Sequence, residues 1–203
     1  MKNLFLVHGA FCSENSFNYI RRKISEDYLA HRIHCFEYAI EKEKIEDVIE
    51  RARKEIQKIT EENGLDTVIV GHSLGGIITL KLSQMPSIST AITLSAPLSG
   101  LRYNIWLGSL LSWHAPTLRD ISPSSNFISR LHNEDYSRTP IEVLVTTKGF
   151  NPMILEPNDG VITIEAQTKW QPEGATITQC RMNHNEILQS PQAIEAIEKA
   201  LQS

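Results

Sequence analysis

The sequence predicts an α/β fold, a mostly parallel sheet of about six strands with helices on both faces. Three observations carry that expectation. Short apolar runs alternate with stretches of helical period along most of the chain, the pattern of strands joined by helical crossovers. The runs are apolar enough to read as buried strands. A glycine-rich turn leads from the third run straight into an apolar helix, as in a strand–turn–helix unit.

Taken in order, the strands are expected at residues 3–7, 33–38, 67–70, 90–95, 141–146 and 175–180. Residues 45–61 carry Ile45, Val48, Ile49, Ala52, Ile56 and Ile59 at spacings of three and four, with charges on the opposite side, and predict an amphipathic helix. Further helices are expected at 75–85 and at 191–201, the last with Ser190 as N-cap and Pro191 at its first position. Residues 100–140 break the alternation. They hold no strand pattern but contain the apolar stretch 105–113, so an insertion is expected there, its apolar start serving as a lid or pocket wall or as a helix packed on the core. Without repeats, low-complexity tracts or a linker, the chain reads as one domain, 1–203, carrying that insertion.

Composition excludes several classes of function. The chain has 203 residues, 41% of them hydrophobic and 22% charged, enough to bury a core without disulfides or metal. Twenty Lys and Arg stand against 24 Asp and Glu, with no basic block, which argues against nucleic acid as a partner. Cys12, Cys35 and Cys180 are widely spaced and form neither a disulfide framework nor a Cys-x-x-Cys knuckle, so a reducing, cytoplasmic setting is expected. The four apolar residues 4–7 before His8 are too few for a signal peptide or a membrane anchor.

The chemistry is concentrated where the third strand ends, in Gly71-His72-Ser73-Leu74-Gly75-Gly76. A G-x-S-x-G between a buried strand and a helix is a nucleophile elbow. The chain turns so sharply that side chains two residues either side of the serine would collide, hence the glycines. Ser73 is left in a strained conformation with its hydroxyl presented. The helix N-terminus places the Leu74 N–H beside it, one donor for a developing oxyanion.

This elbow resembles that of the α/β-hydrolase superfamily, and the first strand with its turn, Leu4-Phe5-Leu6-Val7-His8-Gly9-Ala10, resembles that superfamily's oxyanion segment. The similarity extends over nearly the whole chain and is closest to the compact lipase/esterase branch of small bacterial lipases and inositol-deacylase-like proteins. It implies a second oxyanion donor at the residue after His-Gly, the N–H of Ala10, with Phe11 as the alternative. His8 reads as a buried, hydrogen-bonded support of that loop.

A serine needs a base and an orienting acid, in chain order Ser…Asp/Glu…His. His8, His31, His34 and His72 precede or adjoin the serine, and His114 and His132 lie in the insertion. His184 follows the last strand, in a segment resembling the family's His-x-Glu-Ile-Leu. The acid belongs after the fourth or fifth strand; the segment Ser95-Ala96-Pro97-Leu98-Ser99-Gly100 after the fourth holds no carboxylate. After the fifth comes Glu156-Pro157-Asn158-Asp159-Gly160-Val161, which resembles the lipase Asn-Asp-Gly-x-Val segment and points to Asp159, with Glu156 in reserve. Leu98 stands where the family often has histidine. Residues 120–131 resemble a segment leading into a pocket-lining helix.

Other reactive residues fit bland roles. Cys12 lacks an elbow and reads as a small buried thiol. His31 and Cys35 share a strand face but are two ligands only, so no metal is expected, and no cofactor. Trp106 and Trp113, seven apart, would share one helical face and, with Phe11, wall an acyl pocket. The resemblance implies a serine hydrolase cleaving carboxylic esters with an apolar acyl group, on a small-molecule or lipid substrate, through an acyl-enzyme. The same residues would serve an acyltransferase, thioesterase or amidase, and a non-catalytic binding protein could retain them.

Overall fold

Six strands pair side by side in the order β2-β1-β3-β4-β5-β6, every pair parallel. The computed structural model describes residues 1–27, 32–102 and 115–203. The strands are β1 (Asn3–Val7), β2 (Ile33–Phe36), β3 (Thr67–His72), β4 (Ile88–Leu94), β5 (Ile141–Thr146) and β6 (Thr176–Cys180). The fold is that of the α/β hydrolases.

Period-two alternation divides the core into two layers. Phe5, Val7 and Ile69 point to one face, where α2 (Ile45–Asn63) and α3 (Leu74–Leu82) cover them. Leu4, Leu6, Val68 and Val70 point to the other, under α1 (Asn18–Asp27) and α7 (Pro191–Gln202). The six apolar positions foreseen for α2 are all buried, and Gly64 at φ 67° ends that helix in a left-handed cap.

The structure departs from the sequence reading in three places. First, β6 is not a buried strand: all but its last residue are exposed, because it forms the sheet edge and carries Thr176, Thr178 and Gln179. Second, a helix precedes β2. Phe17, Ile20 and Ile24, spaced three and four apart, bury its inner face. Third, the described part of 100–140 is helical, with α4 (Pro116–Asp120) and α5 (Asn126–His132). Phe127, Ile128 and Leu131 of α5 enter the core layer that holds α2, and Asp120 Oδ2 accepts the N–H of Ile45 at the head of α2. The apolar stretch 105–113, including Trp106 and Trp113, lies outside the described residues.

Register brings the strand ends level: Val7 lies beside Gly71, His72 beside Leu94, Leu94 beside Leu144, and Thr146 beside Cys180. All parallel strands therefore deliver their following loops to one edge, where open α/β sheets collect ligands. Among the described residues no helix is long and apolar enough to cross a membrane.

The loop after β6 is fixed at its far end by Ser190. Its hydroxyl accepts from Ala193 N at 3.1 Å and donates to Ile187 O at 2.9 Å. Replacing this buried N-cap by alanine should lower unfolding free energy by about 1 kcal/mol, read from urea midpoints at unchanged slope.

Candidate active site

The elbow is built by close approach of main chains. A Cβ on Gly71 would stand 2.1 Å from Gly75 O, and one on Gly75 would stand 2.1 Å from Val7 O. No side chain fits either position. Ser73 between them adopts φ 54° and ψ −122°, a conformation costing on the order of 1–3 kcal/mol for a non-glycine residue. Its N–H donates to Leu94 O at 2.8 Å, and its carbonyl accepts from Gly76 N at 2.9 Å, so the surrounding frame holds the strain. The Leu74 N–H opens α3, where no helical carbonyl precedes it.

The turn after β1 packs against this elbow. A Cβ on Gly9 would stand 3.1 Å from Ser73 Cβ. Cys12 N–H donates back to Gly9 O at 3.3 Å, and Phe11 has φ 56°, the pattern of a type II turn with Ala10 and Phe11 at its centre. Ala10 is half-buried, and Phe11 is 60% exposed on this turn. His8 is buried, stacked on Tyr38, and its Nδ1 donates to Gly9 O at 2.8 Å. Cys12 is exposed rather than buried, being carried on the outside of this turn.

Across the edge, Asp159 is wholly buried, and its Oδ2 accepts from His184 Nδ1 at 2.8 Å. The same oxygen accepts from Thr146 Oγ1 at 2.6 Å and Gln167 Nε2 at 3.1 Å. Oδ1 accepts from the N–H groups of Val161 and Ile162 at 3.0 and 2.9 Å. Burial alone would raise the carboxyl; the bond from His184, its charge, and donation from Ile162 and Thr146 outweigh it and hold Asp159 below the ordinary range. Glu156 is exposed, and His184 Nδ1 bonds to Asp159 instead.

His184 is fixed through its main chain as well. Its N–H donates to Asp159 O at 3.0 Å, and its carbonyl accepts from His72 Nε2 at 2.9 Å and Ser95 Oγ at 3.4 Å. The Nδ1 bond to a carboxylate selects the tautomer that leaves Nε2 as a lone-pair acceptor. Among the described residues, Asp159 and His184 are joined, and the Ser73 hydroxyl makes no hydrogen bond to His184. No group of three or more His, Cys, Asp or Glu side chains among them is arranged to hold a metal.

Thr146, Gln167, Ser95 and His72 were not foreseen as site residues. Gln167 sits on the short α6 (Ile164–Thr168), whose five residues give no readable period. Ser95 had a signal only in hindsight, a positive φ of 50° at the end of β4.

No family model matches the chain, and no curated protein matches it. Solved structures do. The chain aligns over its whole length with phospholipase PlaB from Legionella pneumophila bound to thio-NAD, at TM-score 0.79 and 15% identity, covering 59% of that protein. It aligns over 98% of its length with the mature Bacillus licheniformis lipase BlEst2, at TM-score 0.74 and 16% identity, covering 91%. A Paleococcus ferrophilus monoacylglycerol lipase aligns over 98%, at TM-score 0.62 and 17% identity, again covering 91%. In a second PlaB structure the match covers 46% of that protein, so the chain spans about half of PlaB. At these identities the likeness is one of fold.

His72 offers a direct test of the site's electrostatics. It is buried, its Nε2–H is engaged and its Nδ1 faces no partner among the described residues. Burial, then the charge of His184, pushes its pKa from 6.5 down to about 3. Below pH 6.5 the unfolded chain binds a proton that the native one refuses, so stability falls as pH drops toward 3, by up to about 1.4 kcal/mol per unit from this group. His72→Gln keeps a donor and removes the titration. Urea unfolding between about pH 6.5 and 4.5 should then show a shallower loss than in the unmodified chain; equal slopes would contradict a buried neutral imidazole.

Proposed function

We propose that this protein is a serine hydrolase that cleaves carboxylic esters with an apolar acyl group through an acyl-enzyme. The observation that carries the reading is the state of His184. Both of its main-chain groups and its Nδ1 are engaged, and the one polar atom outside these bonds is Nε2, the atom a general base needs.

In this reading Ser73 Oγ attacks the ester carbonyl while His184 Nε2 takes its proton. Asp159 does not take a proton itself; it holds the ring and stabilises the imidazolium. The tetrahedral oxyanion is met by the N–H of Leu74 and that of Ala10, with Phe11 as the alternative second donor. Each such donor contributes about 2.7–4 kcal/mol to lowering the barrier. Collapse expels the alcohol, which takes the proton from His184. Water, activated by the same nitrogen, then releases the acid and restores Ser73. In this reading the Ser73–His184 hydrogen bond forms when substrate excludes water, since catalytic hydrogen bonds commonly become complete only in the Michaelis complex.

The apolar acyl group is supported by the surface around the site. Phe11 stands exposed beside the elbow, and the loop carrying Asp159 turns Phe150 and Leu155 outward, at 83% and 93% exposure. The lipase and phospholipase neighbours of the fold agree with a lipid-like or small-molecule ester substrate.

Ser73→Ala should lower kcat/KM for p-nitrophenyl esters by about 10³-fold or more and abolish labelling by a fluorophosphonate, with far-UV circular dichroism unchanged. Across a series of acyl chains, the unmodified enzyme should gain rate with length, up to about 1 kcal/mol of transition-state stabilisation per methylene buried. Undiminished turnover in the alanine variant would overturn the assignment of Ser73, and a flat chain-length series would overturn the apolar acyl site.

A further inference from the structure

The side-chain amide of Gln167 is wholly buried and makes four contacts around one point. Its Oε1 accepts the Thr146 N–H at 2.9 Å, and its Nε2 donates to the Thr146 carbonyl at 3.0 Å. In this way it pairs with the end of β5 as a neighbouring strand would. Nε2 also reaches Asp159 Oδ2 at 3.1 Å, and Oε1 lies 3.3 Å from the Thr146 hydroxyl. The partners fix the amide's orientation: rotating it by half a turn would set its NH₂ against an N–H and its oxygen against a carbonyl and a carboxylate.

A carboxylate offers about four lone-pair sites, and Asp159 receives five donors, three of them on Oδ2. Gln167 and His184 thus share one oxygen. We propose that Gln167 is a positioning residue for the acid, holding Asp159 Oδ2 toward His184 and tempering the charge that oxygen presents to the imidazole. The proposal rests on the reading of His184 as the base.

The surroundings leave this interaction electrostatically simple. From β3, His72 brings its ring within 4.8 Å of His184 and stays neutral. From β4 and β5 come the hydroxyls of Ser95 and Thr146, and from β6 the buried thiol of Cys180. The charged pair on α6, Glu165 with Lys169, is exposed.

Two variants of the full chain test it. Gln167→Met keeps length and removes the donor, so Oδ2 binds His184 more strongly. The His184 titration, followed by NMR without substrate, should move up by about half a pH unit. On p-nitrophenyl butyrate, kcat should fall on the order of 10-fold at unchanged KM as the ring loses its aim. Gln167→Glu places a second carboxyl against Oδ2. Protonated, it donates as glutamine does; ionised, it repels Asp159, as in a carboxylate pair sharing one proton. This variant should therefore gain a new loss of kcat as pH rises. If His184 titrates as in the unmodified chain in Gln167→Met, and Gln167→Glu shows no new limb, the proposal is overturned, even where kcat falls. Failure of both variants to fold would assign Gln167 to stability alone and overturn it equally. A chain inactive on every ester whose His184 still shifts in Gln167→Met would overturn the proposed function and leave this inference standing.

Discussion

A buried carboxylate sets the terms for the carboxyl edge of this sheet. Asp159 has no solvent exposure, and an ion in that position costs several kcal/mol unless its lone pairs are met. They are met from four directions: the end of β5 through Thr146, α6 through Gln167, the acid's own turn through Val161 and Ile162, and the loop after β6 through His184. These five donors sit on four different pieces of chain. Satisfying one charge therefore fixes the relative positions of four segments that local structure alone would leave adjustable. Removing any one donor would leave the charge in place with fewer partners, and that asymmetry makes the cluster cooperative.

The elbow works by the opposite means. No charge holds Ser73; contact between main chains does. Gly71 and Gly75 let the β3–α3 turn close upon itself and upon β1, and the turn after β1 closes over Ser73 in its own strained geometry at Phe11. The two halves meet through His72 and Ser95. Both lie at the ends of central strands, and both donate to the carbonyl of His184. The loop holding the candidate base is thereby tied to the strand carrying the candidate nucleophile without any bond between the two functional side chains themselves.

This division of labour explains which parts were legible in the sequence. The elbow depends on side chains being absent, and a Gly-x-Ser-x-Gly between an apolar run and an apolar helix records that directly. Strand β1, helix α2 and the capped start of α7 were legible because each has a local signature: an apolar run, a regular spacing, a Ser-Pro pair. The helix α1 had such a spacing in Phe17, Ile20 and Ile24, hidden among polar and charged neighbours. The polar support was not legible. Thr146 reads as the last residue of a strand, and Gln167 as one polar residue among several near Glu165 and Lys169. They lie 13 and 8 residues from Asp159 along the chain, and only the fold turns these three side chains inward together.

The pattern of engaged and unengaged atoms at this edge also bears on how the site can move. At His184 the main-chain N–H, the main-chain carbonyl and Nδ1 are all bonded to different partners, so the ring cannot rotate about its side-chain bonds without breaking the contact with Asp159. The residual freedom lies instead on the open side, with the Ser73 hydroxyl and the exposed Phe11. A hydroxyl rotor and an exposed aromatic ring reorient in picoseconds to nanoseconds, whereas displacing His184 would require dismantling a buried charge cluster. In the proposed mechanism, substrate at this edge meets a fixed acceptor at Nε2 and an adjustable hydroxyl. In that mechanism the adjustable partner is a small hydroxyl and the anchored one is the ring, so little side-chain entropy is lost in ordering the pair.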